Sequence, residues 1–114
     1  MKYKIKAIIK RPDEEYGHMT NISPRLENLQ KTVGGYIETM NIGKITIIMN
    51  EEGKLRELPK NISLGSTTIV GTIIICGTQD EDFADIPITF KEWKDMVDTF
   101  RGEESLARFW EAMG

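Results

Sequence analysis

Cysteine and histidine are almost missing from this chain of 114 residues, which contains one of each, Cys76 and His18. One thiol cannot form an internal disulfide, and one thiol with one imidazole is too small a set for a structural zinc site. No apolar run reaches the roughly 18 residues that a membrane-spanning helix needs. Lysines interrupt the apolar stretch near the N-terminus, where a signal peptide has a continuous apolar core. We therefore expect a cytoplasmic protein with no membrane contact, metal or cofactor.

Combinations of residues that carry catalysis are also missing. His18 lies in a segment typical of a loop, and Cys76 lies within the apolar run TIIICG, where a thiol is usually a small buried hydrophobe with a raised pKa. The acidic stretch QDEDFAD invites a calcium interpretation, but Asp85 and Lys91 stand where an EF-hand loop has glycine and glutamate. We expect no catalytic residue, no metal ligand and no enzymatic activity.

Charge is unevenly distributed, although the formal net charge is only −3. Residues 2–11 contain five basic side chains and no acidic one, whereas the segment from Asp80 onward contains ten acids and four bases. This pattern predicts one cationic strip and one acidic end. Because the chain is not basic overall, we expect no direct binding of nucleic acid.

The composition, 39% hydrophobic and 29% charged, is typical of one globular domain, which we place at residues 1–114. Alternation of lysines with apolar residues over 2–9 predicts a strand with one solvated face, and residues 11–23 are typical of a surface loop. A helix of about ten residues should follow, with Ser23 as its N-cap, Pro24 in its first turn and Gly34 after its end.

The rest of the chain predicts more strands and then helices. YIETMNIG and KITIIMN are typical of two strands of a hairpin, and the β-branched run STTIVGTIIICGT predicts one strand in the middle of the sheet. Thr89 and Glu92 form a capping box before a helix, and a short terminal helix with Phe109 and Trp110 should follow Gly102. The predicted fold class is α+β: a small, mainly antiparallel sheet of about four strands, one helix after the first strand and two C-terminal helices.

The segment MNEEGKLRELPKN, residues 49–61, combines a turn with a dense set of charges. Gly53 supplies the conformation for reversing the chain, and Pro59 argues against a regular strand. The spacing of Leu55 and Leu58 predicts that both side chains attach the segment to the core. Such an attachment would hold Arg56 in a fixed position, and a fixed guanidinium suits forked contacts with phosphate or carboxylate.

Three stretches of the sequence stand out: LENLQKTVGGYIE, NEEGKLRELPKN, and IVGTIIICG followed by EDF. Together they resemble a family of small proteins, catalogued as a domain of unknown function, that bacteria, their phages and mobile elements encode. The resemblance covers residues 26–85, and the N-terminal strand also fits. The C-terminal end with Phe109 and Trp110 extends beyond the short members. Small non-enzymatic proteins from such settings often act against host defence, so the resemblance implies, by analogy, either a sponge for a nucleotide-derived signal or an inhibitor of a host effector.

Two functional hypotheses stay open. In the first, the protein binds a small anionic, nucleotide-like ligand without catalysis and sequesters a host defence signal. Arg56 and Asn61 would contact phosphate or ribose, and Tyr36 or Phe83 would stack on a base. Such a pocket would lie at the interface of a homodimer or higher homo-oligomer, with strand 68–76 and the aromatic C-terminal helix as candidate subunit contacts.

The second hypothesis is a protein inhibitor of a host effector. The acidic C-terminal third would block a basic partner, and activity would depend on Asp80, Asp82 and Asp85 rather than on Arg56.

Overall fold

The computed structural model describes the backbone of residues 4–113 and the side chains of residues 4–102. Within that part, the elements in chain order are β1 (Ile5–Lys10), β2 (His18–Ile22), α1 (Leu26–Val33), β3 (Ile37–Ile42), β4 (Ile45–Asn50), β5 (Lys60–Leu64), β6 (Thr67–Val70), β7 (Ile73–Gln79), β8 (Asp82–Ala84) and α2 (Phe90–Met113).

The central sheet is antiparallel throughout, with strand order β2–β1–β7–β4–β3 and with β8 paired to the C-terminal end of β7. Ile75 of β7 lies between Ile8 of β1 and Ile47 of β4. Strands β5 and β6 form a separate two-stranded hairpin. The α+β class with an antiparallel sheet is confirmed. The prediction of a sheet of about four strands is wrong, because the described residues form a sheet of six strands and a hairpin of two.

The two faces of the sheet are covered by different elements. We call the side that packs on α1 the α1 face and the side that packs on α2 and the β5–β6 hairpin the α2 face. Buried residues of the α1 face are Ile5, Ala7, Ile22, Leu29, Val33, Ile48, Ile74 and Cys76. Buried residues of the α2 face are Ile8, Ile45, Ile47, Ile62, Leu64, Ile69, Ile73, Ile75, Ile86, Trp93 and Val97.

Helix α1 confirms the predicted helix but begins later than expected. Its N-cap is Arg25, and the hydroxyl of Ser23 accepts a hydrogen bond from the Arg25 backbone N–H at 3.3 Å. Gly34 ends the helix with φ of 83°, a left-handed conformation that glycine adopts without steric cost. The helix follows the second strand rather than the first, because His18–Ile22 pairs with β1 instead of forming a loop.

Helix α2 begins at the predicted capping box. The Thr89 backbone N–H donates to Glu92 Oε1 at 3.1 Å, and the Glu92 N–H donates to Thr89 Oγ1 at 3.1 Å. The helix then continues through Gly102 to Met113, so the prediction of two C-terminal helices is wrong. A glycine inside a helix costs only about 1 kcal/mol relative to alanine and does not by itself end the helix. The side chains of Phe109 and Trp110 lie outside the described ones.

The run STTIVGTIIICGT divides at Gly71, which has φ of 76°. The first part, β6, joins the hairpin on the α2 face, while β7 occupies the middle of the sheet as predicted. Ile73, Ile74, Ile75 and Cys76 are each 0% exposed. Residues 73–76 are therefore buried within their own chain, and the prediction that strand 68–76 is a subunit contact is wrong for this part.

Candidate functional site

The segment that follows β4 is a compact series of turns over residues 51–57. Backbone hydrogen bonds from Gly53 to Asn50 O, from Arg56 to Glu52 O and from Leu58 to Gly53 O hold it in place. Leu58 is partly buried, but Leu55 is 85% exposed. The prediction that both leucines attach this segment to the core is therefore wrong for Leu55.

Arg56 is exposed, and a different contact positions its side chain. Its NH1 donates a hydrogen bond of 2.9 Å to the carbonyl oxygen of Gly34, the residue that ends α1. Asn50 supports the same helix end, because its Nδ2 donates to Val33 O at 3.1 Å while its Oδ1 accepts from the Glu52 N–H at 2.8 Å. The last carbonyls of a helix carry partial negative charge, so a guanidinium and an amide are favourable partners there.

Gly35 provides the space for this arrangement. A Cβ atom at Gly35 would lie 3.0 Å from Asn50 Nδ2 and 3.1 Å from Arg56 NH1, closer than most Cβ contacts. The two glycines of VGGY thus have separate tasks: Gly34 adopts positive φ, and Gly35 allows the guanidinium to approach the backbone. The motifs VGGY and NEEGKLR, separated in sequence, meet at this point.

The helix end and the turn enclose a concavity of about 350 Å³, which we call the Arg56 pocket; it is lined by Gln30, Gly34, Gly35, Tyr36, Asn50, Glu52 and Arg56. The ring of Tyr36 is available at its edge, since this residue is 66% exposed. Among the described side chains, no carboxylate forms an ion pair with Arg56, whose one side-chain hydrogen bond is the one to Gly34. The structure therefore brings together two of the four predicted site residues, Arg56 and Tyr36.

Asn61 lies away from the Arg56 pocket, and its amide is engaged inside the protein. Its Nδ2 donates to Lys10 O and to Gly71 O, both at 2.8 Å, and its Oδ1 accepts from Lys10 Nζ at 2.8 Å. These bonds connect β5 to β1 and to the residue that separates β6 from β7. Asn61 lines a different, smaller concavity.

Phe83 lies in β8, partly buried against the α1 face. It lines a concavity of about 880 Å³ beside the acidic β7–β8 turn. The two central residues of that turn, Asp80 and Glu81, have φ of 51° and 72°. Positive φ at both positions is what a type I′ turn requires, and here it is adopted without glycine. The structure thus separates Phe83 from Arg56 and Tyr36.

The side chains that could carry chemistry are placed as follows. His18 is exposed, with Nδ1 3.3 Å from Glu14 Oε2. Burial raises the pKa of the Cys76 thiol to about 12, in agreement with the prediction for this residue. Among the described residues, no group of three or more histidine, cysteine, aspartate or glutamate side chains converges as a metal site. In the same part of the chain no helix is long and apolar enough to span a membrane.

A comparison of the chain with models of known protein families finds one matching family. The family model described as a domain of unknown function, DUF3846, matches residues 5–98. That range contains every described strand, all of α1 and the beginning of α2. Neither the curated proteins nor the solved structures include a significant match to the chain.

Proposed function

This chain belongs to the DUF3846 family of domains of unknown function, and we propose that it binds a small anionic, nucleotide-like ligand without transforming it. The proposal depends on one observation: a guanidinium held by a helix-end carbonyl and an exposed tyrosine ring share one pocket. The pocket volume of about 350 Å³ is within the range of small-molecule sites.

The chemistry of the lining indicates how such a ligand would be recognised. A guanidinium has five N–H donors in a planar fork, and Arg56 uses NH1 for Gly34, which leaves donors for a phosphate or carboxylate. The face of the Tyr36 ring suits stacking on a nucleobase. Gln30 and Glu52 add hydrogen-bonding groups of the kind that bind ribose hydroxyls or a base amino group.

The same lining limits the charge of the ligand. Glu52 carries a negative charge, and the carbonyls at the end of α1 add a partial one. A single phosphate group at Arg56 is compatible with both, whereas a triphosphate would place further negative charge beside them. We therefore expect monophosphates and cyclic nucleotides to bind more tightly than nucleoside triphosphates.

The test is a thermal-shift titration against a panel of linear and cyclic nucleotides. A ligand at 100 times its Kd stabilises a protein by about 2.7 kcal/mol, which is readily measured as a rise in Tm. Arg56→Gln should abolish the shift. Lys54→Gln is the matched control, since it removes the same charge from the same turn but lines another concavity. The proposal fails if no nucleotide raises Tm, or if the two variants respond alike.

Three further variants test the geometry of the pocket separately from its charge. Gly35→Ala keeps every charge, but its Cβ would stand 3.1 Å from Arg56 NH1 and should displace the guanidinium, so the affinity should fall. Tyr36→Phe should retain binding because stacking is preserved, whereas Tyr36→Ala should lose it. Equal affinity of Gly35→Ala and the unmodified protein would exclude Arg56 in its observed position as a ligand contact.

The biological part of the proposal is that the protein binds its ligand and does not catalyse a reaction. In the setting of a phage or mobile element, such a protein would sequester a nucleotide signal of host defence. Chromatography of the bound ligand after long incubation should recover it unchanged, and a signal-dependent effector should be inhibited in proportion to the protein added. Gel filtration would test the homo-oligomer that we predict.

A second candidate function is a protein inhibitor that uses the acidic β7–β8 turn. The observation in its favour is the concavity of about 880 Å³ at this turn, lined by Phe83 together with Asp80, Glu81, Asp82 and Asp85. A basic partner protein would fit this charge. Asp80→Asn with Asp82→Asn should then abolish inhibition of the effector while Arg56→Gln leaves it unchanged, the opposite of the result expected for the first function.

A further inference from the structure

Lys10 is a buried lysine with an uncharged partner. It is 2% exposed, and its Nζ donates to Asn61 Oδ1 at 2.8 Å and, at 3.4 Å, to the Asn61 backbone carbonyl. Buried lysines are rare unless paired with an opposite charge. Among the described side chains, however, no carboxylate lies within ion-pair distance of this ammonium group.

The surroundings of Lys10 add more positive charge. A concavity of about 150 Å³, which we call the Lys10 cavity, is lined by Lys10, Lys60, Asn61, Ile62, Ser63, Val97 and Arg101. Three of these residues are cationic and none is acidic. Arg101 is about half exposed, and its NH1 forms an ion pair with Glu15 Oε1 at 2.9 Å.

The pKa of Lys10 reflects these surroundings. Burial lowers the pKa of Lys10, and the nearby Arg101 lowers it further, while Glu14 and Asp13 act in the opposite direction. Arg101 pairs with Glu15, yet its charge still repels that of Lys10, and an anion between the two would relieve that repulsion.

We propose that the Lys10 cavity is a binding site for one small oxyanion of the phosphate or sulfate class, contacted by Lys10, Arg101 and the hydroxyl of Ser63, which also lies 3.3 Å from Thr68 Oγ1. Its volume of about 150 Å³ suits one tetrahedral anion and is below the roughly 300 Å³ at which sites for larger organic ligands begin. Asn61 acts as a positioning residue, because its Oδ1 orients the Lys10 ammonium group and its Nδ2 is already engaged. The site lies on the α2 face and is independent of the Arg56 pocket.

The experiment uses the full chain and inorganic phosphate at constant ionic strength, with sodium chloride as the reference salt. Phosphate should raise Tm with saturation and should broaden and shift its ³¹P resonance. Arg101→Gln should weaken binding by about tenfold or more, the usual effect of losing one charge-assisted hydrogen bond. Lys91→Gln is the matched control: it removes one positive charge from the same helix at a residue paired with Asp95, away from the cavity. Equal responses to phosphate and chloride, or equal affinities of the two variants, would overturn the proposal.

Two more variants distinguish a site from a structural cluster of charges. Glu15→Gln removes the carboxylate that competes for Arg101, so phosphate should bind more tightly; unchanged or weaker binding contradicts the proposal. Lys10→Met should abolish the phosphate effect, and if that variant does not fold, Arg101→Gln decides. Arg56→Gln should keep the phosphate effect, so failure of the Arg56 pocket and failure of the Lys10 cavity are separate results.

Discussion

The two faces of the sheet differ in how many elements cover them, and this difference sets where polar groups are found. The α1 face is covered by one short helix that buries Leu29 and Val33. The α2 face is covered by a long helix and a hairpin, and it buries the largest side chain of the core, Trp93. A face covered by one element leaves polar groups at the end of that element, as in the Arg56 pocket. A face covered by two elements encloses polar groups where they meet, as at Lys10 and Asn61.

The largest effect that separates the faces should come from Trp93, which is 0% exposed and donates from Nε1 to Tyr16 O at 2.8 Å. Trp93→Ala should lower the free energy of unfolding by about 3–5 kcal/mol, because it leaves a cavity between α2 and the sheet. Urea denaturation measures the change. Trp93→Phe keeps most of the volume and loses the hydrogen bond, so it should cost clearly less. If both variants are equally unstable, the hydrogen bond rather than packing holds α2 in place.

The matching change on the α1 face is Leu29→Ala, at a residue that is also 0% exposed. It should cost about 2–4 kcal/mol in the free energy of unfolding, in the usual range for a buried leucine. Because α1 carries the Gly34 carbonyl that holds Arg56, nucleotide affinity should fall as well, while the phosphate effect at the Lys10 cavity should persist. Loss of both responses in a folded variant would contradict the independence of the two sites.

The third prediction concerns the polar contact that the α2 face encloses. Asn61→Ala leaves Lys10 Nζ, Lys10 O and Gly71 O without their amide partner and should cost about 2–3 kcal/mol, mainly because a hydrogen bond to a buried charge is lost. Lys10→Met combined with Asn61→Leu removes both polar groups and should be less destabilising than the sum of the single changes. A double-mutant cycle by chemical denaturation measures this coupling. Additive effects would mean that Lys10 and Asn61 do not act as a pair.

The smallest expected effect is a loss of stability at alkaline pH, which concerns Tyr16 at the outer end of the α2 face. The hydrogen bond of 2.7 Å from Tyr16 Oη to Asp98 Oδ1, followed by burial, raises the pKa of Tyr16 to about 12. A raised pKa in the folded state means that this contribution to stability is complete below about pH 10 and is lost as the pH rises toward 12. Asp98→Asn should lower the pKa of the phenol, followed by phenolate absorbance. An unchanged titration would show that Asp98 does not control Tyr16.

Local signals in the sequence predicted local structure well. The capping box at Thr89, the hairpin of β3 and β4 and the glycine at the end of α1 depend on residues within a few positions of each other. Strand β2 was missed because HMTNI buries only Ile22 and so has almost no hydrophobic alternation. Gly102 was wrongly predicted to separate two helices, because a glycine marks a helix end only when the chain also turns there.

The site depends more on contacts between distant segments, and such contacts leave weak signals in one sequence. Arg56 was predicted to be held through the leucines of its own segment, but its guanidinium donates to Gly34 O and Leu55 is exposed. Lys10 belongs to a lysine-rich strand that is typical of a solvated face. It is buried because the β5–β6 hairpin, which arrives much later in the chain, places Asn61 over it.

The position of β7 in the sheet governs the order in which this protein can assemble. The pairs β1–β2 and β3–β4 are each formed by neighbours in the chain, but neither pair contacts the other in the ladder until β7 joins them. Residues up to Cys76 must therefore leave the ribosome before the two hairpins can become one sheet, and each hairpin exposes isoleucine-rich surface in the meantime. Pairing β7 with β1 and with β4 closes the long chain segments between these strands, and the entropy cost of closing them slows folding. The rate of folding should therefore be limited by the docking of β7.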